Sequence, residues 1–232
     1  MIEFLKELIK YLSGMPTKTT SIRKKKKAKE SVSQKEPART VLLRAAKPLF
    51  ATKGLSETGI REISQAAGLN SSLISYHFGG KEGLYRACME DIASDFLKMA
   101  EQTLDPPSSK PEYRAHLSLF IHQVIHLFLE DRHTGLILIR EYDRSHSPAA
   151  DVFQKSFFQV LKRIQSFLKK AKDLNLIKKD QDPTILSNLL FSCVIGQLRS
   201  DHLFKKVSKK SLSDKNFKNN LVAHIVELFI RP

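Results

Sequence analysis

One turn, flanked by two short helical patterns, constrains this chain more than any other stretch. Ile60, Ile63 and Ala67 fall on one face of a helix spanning about Gly59 to Ala67. Gly68 then supplies a turn, and Leu69 offers a plug for a core. Asn70 or Ser71 can cap the next helix, because a short side-chain oxygen takes an amide proton that a helix start leaves unpaired. In Asn70-Ser71-Ser72-Leu73-Ile74-Ser75-Tyr76-His77-Phe78, Ile74 and Phe78 lie four apart and look inward. Ser71, Ser72, Ser75, Tyr76 and His77 are left on the outer surface. Helix, Gly-containing turn, helix is the helix-turn-helix pattern.

The residue types on that outer surface have a physical meaning. A helix that reads base edges needs small polar side chains near its N-terminus, so that the backbone approaches closely. Asn70, Ser71, Ser72 and Ser75 meet that need, and Leu73 suits a thymine methyl. Tyr76 and His77 reach far enough for phosphates. Thr58 and Gly59 stand where the preceding helix starts, with Thr58 a good N-cap, and its first amides can hold a phosphate. Lys81 adds a charge at the start of the fourth helix. On spacing alone, a short helix pair that merely packs inside an all-α protein is equally open.

Charge favours a polyanionic partner. The 232 residues carry 39 Lys and Arg against 24 Asp and Glu, a net charge of +15, which suits nucleic acid or an anionic membrane surface. Residues 1–36 hold ten Lys/Arg against four Asp/Glu, centred on Arg23-Lys24-Lys25-Lys26-Lys27. This segment reads as a short amphipathic helix (Ile2, Leu5, Leu8, Ile9, Leu12) followed by a basic, flexible tail. The segment is a solvated extension, an arm that adds phosphate contacts or, third, a membrane-surface anchor, and Met15 is an alternative start to Met1. No run approaches the roughly 18 apolar residues of a membrane helix, so no membrane partner is expected. Cys88 and Cys193 lie far apart in apolar patterns, which fits a reducing cytoplasm better than a disulfide or zinc framework.

The run Thr58-Gly59-Ile60-Arg61-Glu62-Ile63-Ser64-Gln65-Ala66-Ala67-Gly68-Leu69, continued by Ile74-Ser75-Tyr76-His77-Phe78-Gly79-Gly80-Lys81-Glu82-Gly83-Leu84, resembles the N-terminal domain of TetR-family transcriptional regulators. The likeness covers about residues 38–98. It implies a homodimer that binds a double-stranded DNA operator, and a C-terminal domain that takes a small-molecule effector. The chain departs from the pattern at Ser75, where many members have an aromatic, at Gly80, where a Ser cap is usual, and at Pro48 inside the first helix.

The expected fold is all-α: residues 37–83 form the DNA-binding domain, with the helix-turn-helix at about 59–78, and a long helix from residue 81 leads into a helical effector-binding and dimerisation domain, residues 84–232. Asp105-Pro106-Pro107-Ser108-Ser109-Lys110-Pro111 reads as a linker. Beyond it the effector-pocket candidates are Phe120 and Phe157 as apolar wall and His122, His126 and Arg140 as polar contacts. Each has a plainer reading as core, solvent-facing or acid-paired. His122 and His126 are four apart, yet no further ligand supports a metal, and no metal or cofactor is expected. Helices from Pro183 and from about Asp214 carry Leu186, Leu190, Val194, Leu221, Ile225 and Leu228. The resemblance implies that these two helices form the dimer interface. No nucleophile motif, phosphate loop or paired carboxylates point to an enzyme. The alternative to an effector-released repressor is an architectural, weakly specific DNA-binding protein driven by the basic tail.

Overall fold

The computed structural model describes residues 36–142 and 146–230, and these residues form helices and connecting turns with no strand. The expectations for residues 1–35 lie outside them. In chain order the helices are α1 (Ala38–Glu57), α2 (Ile60–Ala67), α3 (Ser72–Phe78), α4 (Lys81–Thr103) and α5 (Lys110–Glu130), then α6 (Arg132–Tyr142), α7 (Ala150–Asp173), α8 (Pro183–Ser208) and α9 (Lys215–Leu228). The all-α class is as the sequence predicts.

The helix ends follow from local chemistry. Asp182 accepts the amide of Thr184 at 2.7 Å, with Pro183 in the first turn of α8. Asp214 accepts the amides of Asn216 and Phe217 at the start of α9. Ser109 accepts from the amide of Glu112, so α5 begins inside the predicted linker. Pro48 sits in α1 without pulling the backbone out of helical dihedrals. The break comes at Gly54, with φ of 81°. α8 runs ten residues past the predicted end near Leu198.

One core runs through all of this. Leu42, Ala46 and Phe50 of α1 meet Ile63, Ile74 and Leu84, and the same buried set continues through Ile121 and Leu136 to Ile164, Leu190 and Val226. α1 packs on α2, α3 and α4 on one side and on α6 on the other. Thus α1 and α4 are shared by the N-terminal unit and the helices that follow it. Cys88 is buried on α4, donating weakly to the carbonyl of Leu43, and burial pushes its thiol up to about 12. It is core, as expected, and chemically quiet.

Candidate nucleic-acid interface

α2 and α3 are held by a small set of backbone devices. Gly68 is left-handed (φ 64°) and its amide reaches the carbonyl of Gln65, closing α2. Asn70 is the capping residue of α3: its side-chain oxygen accepts both the amide and the hydroxyl of Ser72 at 2.9 Å. Gly79 and Gly80 close α3 with φ of 71° and 125°. Gly83, in the first turn of α4, lets the chain fold back on α3. A methyl group there would stand 1.8 Å from the carbonyl oxygen of Phe78.

These devices leave a defined face outward. Ile74 is fully buried, while Asn70, Ser71, Ser72 and Ser75 are exposed and Tyr76 is 81% exposed. Leu73 and His77 are half-buried, with the His77 ring edge-on to Tyr76 at 4.9 Å. Lys81 donates to the carbonyl of Ser56 at 3.3 Å, which keeps its charge beside α1's end. Gly59, not Thr58, is the residue before α2. The expected cap at Thr58 is corrected: its hydroxyl donates back to the carbonyl of Gly54 at 2.6 Å, and the residue is 1% exposed. The broken turn at Gly54 supplies a carbonyl for that hydroxyl, and α2 starts one residue later than a Thr58 cap would require. Thr58 can meet a phosphate only through α2's end, never through its side chain.

Sequence reasoning missed two neighbours. Arg61 and Gln65, exposed on α2 and four residues apart, line a shallow groove with Gly68 and Ser71. Their position opposite Ile60 and Ile63 in the helical period was the available signal.

A second feature lies behind this surface. An apolar cavity opens between α4, α6, α7 and α8. Met89, Ala93 and Phe96 of α4 and Leu138, Ile139 and Tyr142 of α6 form part of its wall. Phe153, Ser156 and Phe157 of α7 with Phe191, Ile195 and Arg199 of α8 complete it beside Phe128 of α5. Of the pocket candidates, Phe157 lines it. Phe120 is buried in the core on α5, His122 is half-buried with its pKa lowered by burial and then by Lys218, and His126 is exposed. Arg140 points elsewhere: its guanidinium donates to the carbonyl of Phe50 at 2.9 Å, against Gly54. Helical periodicity turns His122, His126 and Arg140 away from that wall, and Phe120 lies about two turns along α5 from Phe128. Among the described residues no group of His, Cys, Asp or Glu is arranged to hold a metal, and no helix is long and apolar enough to cross a membrane.

The interface candidates divide likewise. Leu186, Leu190, Val194 and Ile225 are buried inside this one chain, Leu221 is half-buried, and Leu228 is 69% exposed. Among the residues that α8 leaves exposed, Ile185, Leu189, Ser192, Gly196 and Leu203 fall on one helical stripe beside the buried one.

Comparison with known proteins follows this geometry. Residues 42–88 match the family model for bacterial regulatory proteins of the tetR family. The HTH-type transcriptional repressor KstR2 of Mycolicibacterium smegmatis is 28% identical over 114 residues, 49% of this chain. The match spans 54% of that relative, about half its length. FadR of Bacillus subtilis in complex with stearoyl-CoA has a TM-score of 0.68 at 16% identity, over 82% of this chain and 97% of its own. A SmeT–triclosan complex has a TM-score of 0.67 at 23% identity, over 84% and 92%. At these identities the two structures share the fold over nearly the whole described chain. The turn at Gly68, the exposed face of α3 and the Gly79–Gly83 fold-back all lie inside the segment that matches the model for bacterial regulatory proteins of the tetR family.

Proposed function

We propose that the protein is an effector-released transcriptional repressor that binds a palindromic DNA operator as a homodimer in the cytoplasm. One observation carries this reading: α4 and α6 serve both the reading head and the cavity. α4 starts three residues after α3 ends and walls the cavity with Met89, Ala93 and Phe96. α6 walls it with Ile139 and Tyr142, while the two residues between them hold the N-terminal unit. Arg140 holds the Phe50 carbonyl of α1, and buried Glu141 accepts from the Tyr85 hydroxyl of α4 at 2.7 Å. A ligand that moves Ile139 or Tyr142 therefore moves the supports of α3.

The enclosed room is only about 40 Å³, far below the roughly 300–1,000 Å³ of an occupied ligand pocket. An effector must spread the wall to enter, which is what a ligand that selects a different state has to do. The structural relatives in complex with triclosan and with stearoyl-CoA support a small-molecule site within this fold. The DNA face supports reading by Ser71, Ser72, Leu73, Ser75 and Tyr76. Asn70 then acts through the cap, and Gly59, His77, Lys81, Arg61 and Gln65 meet the flanking backbone.

Selection of bound sequences from a random DNA pool tests this. One enriched palindrome is expected, bound with a salt slope that stays modest for the specific site. No enriched motif, with affinity tracking salt alone, would establish an architectural binder instead.

A further inference from the structure

We propose that the cavity takes an uncharged, planar aromatic molecule and turns away organic ions of the same size. This rests on the reading of the cavity as the effector site and specifies the class of effector. The surface that the cavity presents is apolar almost throughout. Met89, Ala93, Leu138 and Ile139 are buried parts of it. Ser156 and Arg199 belong to the wall, yet they bring almost no polar surface to the space. The Ser156 hydroxyl is spent on the carbonyl of Val152 at 2.8 Å, and the Arg199 guanidinium lies over the Tyr142 ring at 5.7 Å.

Such a surface discriminates by charge, against either sign. An entering ion gives up its hydration and meets neither a hydrogen-bond partner nor a counter-charge on the surface it touches. That loss outweighs the apolar contact its body gains. An uncharged body keeps the whole gain of apolar burial. The rings decide the shape. Tyr142 stacks on Phe191 at 6.0 Å and Phe153 on Phe157 at 6.1 Å, while Phe157 meets Phe191 edge-on at 4.9 Å. A ligand that enters must part some of these pairs. An aromatic plate replaces the ring contacts it breaks with contacts of the same kind, and a saturated body of equal size does not. The plate is also only about 3.5 Å thick, so it displaces the rings least. The Met89 thioether offers it a further soft contact.

Four probes on one two-ring skeleton separate these cases: 2-naphthol, 2-naphthoate, 2-naphthylmethylammonium and decahydro-2-naphthol. Each is titrated calorimetrically into the full chain at about pH 7, where the naphthol hydroxyl stays protonated. 2-Naphthol should bind roughly tenfold more tightly than either ion, and about threefold more tightly than its saturated analogue. Phe157→Leu should reduce the preference over the saturated analogue and leave the rejection of both ions in place. An ion or a saturated analogue as tight as 2-naphthol, no binding of any probe, or an aromatic preference that Phe157→Leu leaves at full strength would each overturn the proposal. Ala93→Trp, which fills the cavity, tests the underlying reading separately. If it leaves binding of every probe intact, the cavity is not the effector site. If it abolishes binding of probes that showed no preference for the uncharged aromatic, the assignment of ligand class alone falls. Ser156→Phe makes the same test should Ala93→Trp not fold.

Discussion

Gly83 shows how much a single missing side chain decides. Exchange of Gly for Ala inside a helix ordinarily stabilises by about 0.5–1 kcal/mol. At Gly83 the sign reverses, because the methyl group would overlap the Phe78 carbonyl at the end of α3. Gly83→Ala should cost roughly 1–3 kcal/mol in urea unfolding and weaken operator binding further than the stability loss explains, measured by fluorescence anisotropy. Titration also acts at this scale. Burial lowers the pKa of His122 below its ordinary 6.5, with Lys218 adding to it. Burial likewise lowers His133, the attraction of Asp131 opposing and Lys47 and Arg132 reinforcing. A lowered histidine leaves the unfolded chain binding more protons, so stability is fully present above about pH 6.5 and declines as pH falls through the folded value. The urea midpoint should therefore drop between pH 7 and pH 5, and His122→Gln/His133→Gln should flatten that slope. Asp131 does not confound the window. Burial raises its pKa, but the Lys47 and Thr134 hydrogen bonds outweigh that and hold it below its ordinary 3.8.

Among the elements, α6 has the most consequential position. Its residues alternate in duty by helical geometry: Leu138, Ile139 and Tyr142 face the cavity, while Arg140 and Glu141 reach α1 and α4. Lys47 of α1 adds a 2.7 Å ion pair to Asp131 at the other end of α6. Arg86 of α4 clamps Asp151 of α7 through both carboxylate oxygens. The N-terminal unit is thus tied to the cavity's helices at several points, and among the four just named Arg140 and the Tyr85–Glu141 bond are the buried ones. Arg140→Met keeps the apolar stem and removes the donor to Phe50. It should cost about 1–3 kcal/mol. It should also leave effector affinity nearly unchanged while blunting effector-driven release of DNA, measured by titrating effector into the DNA complex. Equal release by variant and parent protein would remove Arg140 from the coupling.

For the whole molecule, the outer stripe of α8 matters most. Ile185 and Leu189 are 60% and 51% exposed, with Ser192 and Gly196 next along the same face and nothing within 4 Å of a methyl group added at Gly196. In the proposed homodimer a second copy would cover this stripe. Leu189→Glu should give a monomer by sedimentation, with the fold intact by circular dichroism and operator affinity lower by roughly a hundredfold. The fold class, most helix starts and the framing of the reading head were legible in sequence, because caps, glycines and helical period act over a few residues. Asn70, Gly68, Asp182 and Asp214 show this, each doing locally what its residue type allows. What tertiary structure decided is which of two apolar stripes a helix keeps for its own core. α8 carries Leu186, Leu190 and Val194 beside Ile185 and Leu189, and sequence alone cannot rank them. The cavity is decided in the same way. Arg140 and Ile139 are neighbours in the chain, yet a rotation of about 100° per residue sends one to α1 and the other to the cavity wall. Periodicity declares that a face exists; only the packing of other helices declares what that face meets.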